Sequence, residues 1–201
     1  MIPDRDRGAR GGPDIAAHYH RLAPDFTRHW SYSDAFVGWM TSRLLAHAAV
    51  GGDSRVLDVG CGTGLYSQRL ADHTHQLLVC VDPSTAMLDR ISDSPRLVPV
   101  NATAESVARG EAPLPYRKFD AVVVKEAQHH VSRDVRESTV RGLARLLAPD
   151  GRLIVVMMPT HCCGHQHFTD AELDAGITEI RRTNPGGTVT FPDRYTVLVA
   201  H

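Results

Sequence analysis

Three glycines within five residues, Gly60, Gly62 and Gly64, close the run RVLDVGCGTG at residues 55–64. Each removes a Cβ and opens positive φ, so backbone N–H groups in such a loop can face a ligand at close range. The spacing narrows the choice of ligand. A dinucleotide fingerprint requires G-x-G-x-x-G, and here the third glycine arrives one place too early. A phosphate loop requires a following G-K-[ST], which is missing. Asp58 stands two residues before the first glycine, and a carboxylate at the loop mouth suits an ammonium group and repels pyrophosphate. Asp82 closes the next apolar run, in VDPSTAML, where an acid can accept two hydrogen bonds from a ribose diol. These residues ask for a ligand with an amine at one end and a ribose further along.

The elements that must hold them follow from periodicity. Ile15, Tyr19, Leu22 and Phe26 recur at spacings of three and four, which predicts a helix that Pro24 bends or ends. Phe36, Met40, Leu44 and Ala48 predict a second, stopped by Gly51-Gly52. Five runs then change the period: residues 55–59, 76–81, 96–100, 119–124 and 152–157. They are short, β-branched and almost continuously apolar, as strands buried on both faces of a parallel sheet must be. TAMLDRI after the N-cap candidate Ser84, and RESTVRGLARLLA with Val140, Leu143, Ala144 and Leu147 on one stripe, predict intervening helices. Strand alternating with helix gives an open α/β sheet with right-handed crossovers and helices on both faces. In the last part of the chain DAELDAGITEIRR reads as a helix, and TVTF and YTVLVA as a hairpin around PDR. A connection that short forces an antiparallel pair at the end of the sheet.

Composition bounds the remaining classes. The chain has 201 residues, 42% hydrophobic and 22% charged, enough for one well-buried domain. We expect a flexible tail at 1–13 and a single domain at 14–201. The domain divides into a helical cap at 14–52, a binding core at 53–158, and a loop, helix and hairpin at 159–201. A formal net charge of −1 provides no field to draw in nucleic acid or an anionic membrane. No apolar run approaches the roughly 20 residues that cross a bilayer. Cys61, Cys80, Cys162 and Cys163 show no disulfide spacing, so a reducing cytoplasm is the expected location. The oligomeric state is left open, a homodimer included.

VLDVGCGTG, VDPSTAML, NATAES, FDAVVVKEAQHHV and LLAPDGRLIVV resemble, in order, the successive motifs of class I S-adenosylmethionine-dependent methyltransferases. The resemblance covers residues 54–158, and it implies a Rossmann-like, mostly parallel, seven-stranded sheet with an antiparallel C-terminal strand. It further implies that Gly60, Cys61, Gly62 and Gly64 hold the methionine part of the cofactor, with Asp58 near its ammonium. Asp82 and Pro83 would meet the ribose, and Met87 one face of the adenine. Asn101-Ala102 stands where the family often has Asp-Ala, and an amide oxygen can still accept from the adenine amino group. Residues Lys125 to His130 would border the methyl group and its acceptor, and Tyr19 would close over the cofactor carboxylate.

Methyl transfer from a sulfonium needs alignment and exclusion of water, and a base where the acceptor must lose a proton. His129, His130 and Glu126 are the candidates for that base. HCCGHQHF offers His161, Cys162, Cys163, His165 and His167 as possible metal ligands. Adjacent cysteines seldom share one ion, and no second cluster follows at finger-like spacing, so the segment reads as an acceptor-pocket loop and no metal is expected. A small or medium-sized metabolite is the expected acceptor, with nucleic acid and membrane excluded as partners. Three other readings stay open: a nicotinamide-dependent oxidoreductase, a non-catalytic cofactor-binding partner subunit, and a cofactor-dependent reaction such as cyclisation without methyl transfer.

Overall fold

The computed structural model describes residues 13–26, 32–157 and 196–200. Helix α1 covers Pro13–Leu22 and passes into a 3-10 turn at Ala23–Asp25, where Pro24 cannot donate to a continuing helix. Helix α2, Asp34–Ala48, starts at Ser33, whose side chain accepts from Phe36 N, and ends with Ala49 in a left-handed conformation. The stop therefore precedes Gly51-Gly52. Its buried stripe is Val37, Met40, Thr41, Leu44 and Ala48.

The remaining elements alternate as expected: β1 Val56–Val59, α3 Leu65–Ala71, β2 Leu78–Asp82, α4 Thr85–Leu88, β3 Leu97–Asn101, α5 Ala104–Ala108, β4 Phe119–Lys125, α6 Arg133–Ala144, β5 Leu147–Met157 and β6 Thr196–Ala200. The strands lie in the order β3-β2-β1-β4-β5-β6, and the pairs among β1 to β5 are parallel. β1 pairs with both β2 and β4, so the chain reverses its direction of winding there and leaves a crevice at the strand carboxyl ends.

Burial follows position in the sheet. Every residue of β1 and β2 is buried, which accounts for their unbroken apolar runs. β3 lies on the edge, is only partly buried and contains Pro99, and an edge strand can spare the missing donor. Phe119, Leu57, Leu70, Leu78, Leu143 and Ile154 are at or near zero exposure in the core. At the opposite end of β1, Arg55 donates from its backbone N and its Nε to Asp120 Oδ2, at 2.8 and 3.0 Å, and so pins the β1–β4 register.

Two boundaries differ from expectation. Helix α6 begins before Arg136 and ends at Ala144, with buried Thr139, Gly142 and Leu143. Leu147 belongs to β5, where it pairs with Phe119 before the register shifts to Ala121–Arg152. Asp150 at φ 63 forms the kink, so Pro149-Asp150-Gly151 is a turn inside strand pairing. The TVTF strand, the helix expected at DAELDAGITEIRR, residues 1–12 of the tail expected at 1–13 and the HCCGHQHF segment lie outside the described residues, and Pro13 already belongs to α1.

Candidate functional site

The glycine loop joins β1 to α3 and is held by its own backbone. Gly60 N and Cys61 N both donate to Val81 O, at 2.8 and 3.0 Å. Gly60, Gly62 and Gly64 all have positive φ, at 76, 56 and 78, but they serve different ends. A Cβ on Gly60 would lie 2.3 Å from Ala127 Cβ, and one on Gly64 3.1 Å from Ile91 Cγ1. One on Gly62 would meet nothing within 4 Å. Gly60 is thus demanded by the close approach of the segment after β4, while Gly62 presents bare backbone to open space.

Two acids bracket this loop. Asp58 is 4% exposed and accepts from Ser67 Oγ at 2.5 Å. Burial pushes its carboxyl up to about 6, opposed by Ser67 and by Lys125, with the Asp82 charge adding to the rise. Asp82, 7% exposed, accepts from Gly62 N with Oδ2 and from Ser84 N with Oδ1, both at 2.9 Å. Burial also raises its carboxyl against those two hydrogen bonds. Each oxygen keeps lone-pair capacity, so Asp82 clasps the loop to the start of α4 while remaining able to accept from a ligand. Asn101 Nδ2 donates to Asp82 O at 3.1 Å, and Ala102 N to the same oxygen at 3.3 Å, so β3 joins the same framework. Met87 is 1% exposed in the short helix that follows Pro83. The Cys61 thiol is raised by hydrogen bonding to Cys80 and by burial, which keeps it protonated and inert.

The other wall is the segment after β4. Lys125, with a side chain 8% exposed, places Nζ 2.9 Å from Glu126 Oε2. The same ammonium lies over the rings of Tyr66 and Tyr32, at 4.7 and 5.4 Å from their centroids. Glu126 has φ 54 and its N–H donates to Val156 O at 2.8 Å. His130 Nε2 shares a 2.8 Å hydrogen bond with Tyr19 Oη, which brings α1 against this segment. Burial, then the charges of His129 and His18, pushes His130 down to about 3. Burial and the charges of Asp82 and Glu126 raise the Tyr19 hydroxyl, so the field of both walls reaches it.

The sequence-predicted residues lie at the carboxyl ends of β1, β2, β3 and β4 and in the segments that follow them, with Tyr19 contributed by α1. Ser67, Tyr66 and Tyr32 join them and were not anticipated. Ser67 sits among the buried positions of α3, the one signal its spacing could have given. Among the described residues no group of three or more His, Cys, Asp or Glu side chains could hold a metal, and no helix is long and apolar enough to cross a membrane.

The loop is flanked by a buried carboxyl at its mouth, Asp58, and a second acid at the end of β2, Asp82, with open space before Gly62. Residues 56–151 match the family model described as a methyltransferase domain. An uncharacterized methyltransferase of Schizosaccharomyces pombe is 37% identical over 109 residues, 50% of this chain and 37% of its own. The 27-O-demethylrifamycin SV methyltransferase of Amycolatopsis mediterranei is 30% identical over 116 residues, 57% of this chain and 42% of its own. The solved DhpI–SAH complex shares the fold with a TM-score of 0.59 at 19% identity, covering 82% of this chain and 84% of that one. The chain spans less than two thirds of the length of the curated relatives it matches. Relatives also include the tRNA U34 carboxymethyltransferase of Pasteurella multocida, 28% identical over 128 residues, 58% of this chain and 40% of its own. The expected exclusion of nucleic acid therefore does not extend to the relatives.

Proposed function

We propose that this chain, which belongs to the class I S-adenosylmethionine-dependent methyltransferases and takes S-adenosylmethionine as its cofactor, moves a methyl group to a small or medium-sized metabolite. The observation that carries the reading is the pair of buried acids flanking the loop, Asp58 and Asp82, set where an aminoacyl tail and a ribose would come. In this reading the backbone of Gly60, Cys61, Gly62 and Gly64 holds the methionine part and Asp58 meets its ammonium. Asp82, with Pro83 behind it, takes the ribose diol; Met87, Asn101 and Ala102 border the adenine; Lys125 and Tyr19 close the end nearer the acceptor.

When bound, the cofactor's sulfonium supplies the methyl group as an electrophile. The protein's part is to align the acceptor and keep water out, a contribution of roughly 7–11 kcal/mol in well-oriented systems. Of the base candidates, His130 is poorly suited, since its Nε2 is engaged with Tyr19 and its basicity is depressed. A metabolite acceptor is supported by the near-neutral charge and by the rifamycin-modifying relative.

Incubation with cofactor carrying a tritiated methyl group, a low-molecular-weight metabolite extract and, separately, bulk tRNA tests the proposal. Label is expected in the metabolite fraction. Label confined to tRNA would replace the acceptor class, and no transfer to either fraction would favour a non-catalytic subunit.

A further inference from the structure

We propose that Glu126 and Tyr66 form a subsite that recognises the methyl acceptor through a hydroxyl group; this rests on the methyl-transfer reading above. Among the described residues, Tyr66 Oη, Gln68 Oε1, Glu126 Oε1 and Gln128 Oε1 are buried polar atoms with no hydrogen-bond partner. Such atoms are costly to keep. Two of them share one neighbour, because the Lys125 ammonium sits 2.9 Å from Glu126 Oε2 and 4.7 Å from the Tyr66 ring centroid. Tyr32 Oη also donates to Oε2, at 3.4 Å. Both described donors to the carboxylate thus converge on one oxygen and leave Oε1 over.

Glu126 also keeps a left-handed backbone, φ 54, that non-glycine residues seldom adopt. Strain of this kind gathers at sites that bind. The location fits: the next residue, Ala127, lies where a Gly60 Cβ would fall, and Lys125 is close enough to lower Asp58. The subsite therefore adjoins the glycine loop at the end of β4.

The two orphan groups are complementary in kind. A carboxylate oxygen only accepts, whereas a phenol can donate. Burial, then the Glu126 charge, raises the Tyr66 hydroxyl against the effect of Arg69, so it stays a donor at neutral pH. A hydroxyl satisfies both groups; an ammonium can only donate and a carboxylate can only accept. In the transfer the hydroxyl oxygen forms the bond to the methyl carbon. The carbon–sulfur bond breaks with its electron pair left on sulfur, and the hydroxyl proton passes to Glu126 Oε1.

Benzyl alcohol, benzyl methyl ether and benzoate share one apolar body and differ in this chemistry, and saturation-transfer difference NMR reads weak binding of each. The titrations use the full chain with and without saturating S-adenosylhomocysteine. The wild-type protein is expected to bind the alcohol at least about fivefold tighter than the ether, the worth of one hydrogen bond, and to bind benzoate more weakly still. Glu126→Gln, whose amide nitrogen takes the place of Oε1 because both described donors hold the other position, is expected to bring alcohol and ether to within about twofold of each other. Tyr66→Phe, which removes a donor that both accept from, is expected to weaken both about fivefold. Each variant is checked by a thermal melt. Equal affinities in the wild type, binding of none of the three, a preference that survives Glu126→Gln, or affinities left unchanged by Tyr66→Phe would overturn the subsite. Calorimetry with S-adenosylhomocysteine is a separate arm. No heat there would remove the methyl-donor reading, while the titrations without S-adenosylhomocysteine would still decide whether the hydroxyl subsite exists.

Discussion

Asp58 shows how much stability a single residue can surrender to a site. Its carboxyl lies at about 6 in the fold, raised chiefly by burial, with Ser67 and Lys125 pulling it down and Asp82 pushing it up. An unfolded aspartate titrates near 3.9. Because the folded pKa is the higher, the folded state binds the proton more tightly. Asp58 therefore favours the fold most below about pH 4 and progressively less as pH rises to about 6, beyond which its penalty is constant. Asp58→Asn keeps an oxygen for Ser67 and removes the buried charge. Denaturant unfolding should show the variant more stable than wild type at pH 8, by on the order of 1–3 kcal/mol, and nearly equal to it at pH 4. Isothermal calorimetry should show the opposite for S-adenosylhomocysteine, whose affinity falls about tenfold or more as its ammonium loses a charged partner. Lower stability of the variant at pH 8 would mean that Lys125, not ligand binding, is what the charge is kept for. Asp58 and Asp82 were legible in the sequence because their position relative to the glycines is local. Ser67, Tyr66 and Tyr32 were not, because only folding brings helix α3 against Asp58 on β1 and Lys125 at the end of β4, and Tyr32, two residues before α2, against Lys125 and Glu126.

At the scale of elements, the strand runs could be read because a parallel sheet covered on both faces tolerates little but apolar residues. The same reading misplaced the start of β5. Pro149-Asp150-Gly151 has the composition of a helix stop, and nothing local says that Leu147 already pairs with Phe119. The glycine loop carries the sharper lesson, since three like residues do different work. A Cβ on Gly60 collides with Ala127 at 2.3 Å, whereas one on Gly62 is free of neighbours. Gly60→Ala should destabilise by about 2–4 kcal/mol, from left-handed strain plus overpacking, and displace the whole segment after β4. Gly62→Ala should carry only the strain, about 1–2 kcal/mol, yet weaken S-adenosylhomocysteine binding at least as much as the Gly60 change. Thermal melts and calorimetry on the pair separate the two roles, and equal losses of stability would refute the division. A β-branched residue at position 62 would blur this result, because φ 56 strains it independently of any ligand.

For the molecule as a whole, loop, β2 terminus and post-β4 segment are one framework, and a ligand that bridges them stabilises the fold they share. A ligand confined to the native state contributes about 2.7 kcal/mol at one hundred times its Kd. For 150–250 residues each kcal/mol moves Tm by about 2–4 °C. Saturating S-adenosylhomocysteine should therefore raise the melting temperature of this 201-residue chain by roughly 5–11 °C. NADH at the same concentration should leave it within about 1 °C, because Gly64 comes too early for a dinucleotide turn and Asp58 faces the phosphates with a buried carboxyl. The magnitude also tests how the framework is joined. Asp82 ties Gly62 and Ser84 together, so Asp82→Asn replaces one accepting oxygen with a donor facing a backbone N–H. It should lower the ligand-free melting temperature and shrink the shift together. A variant with a lower melting temperature but the full shift would show that Asp82 serves the loop alone, and that the ribose is held from elsewhere.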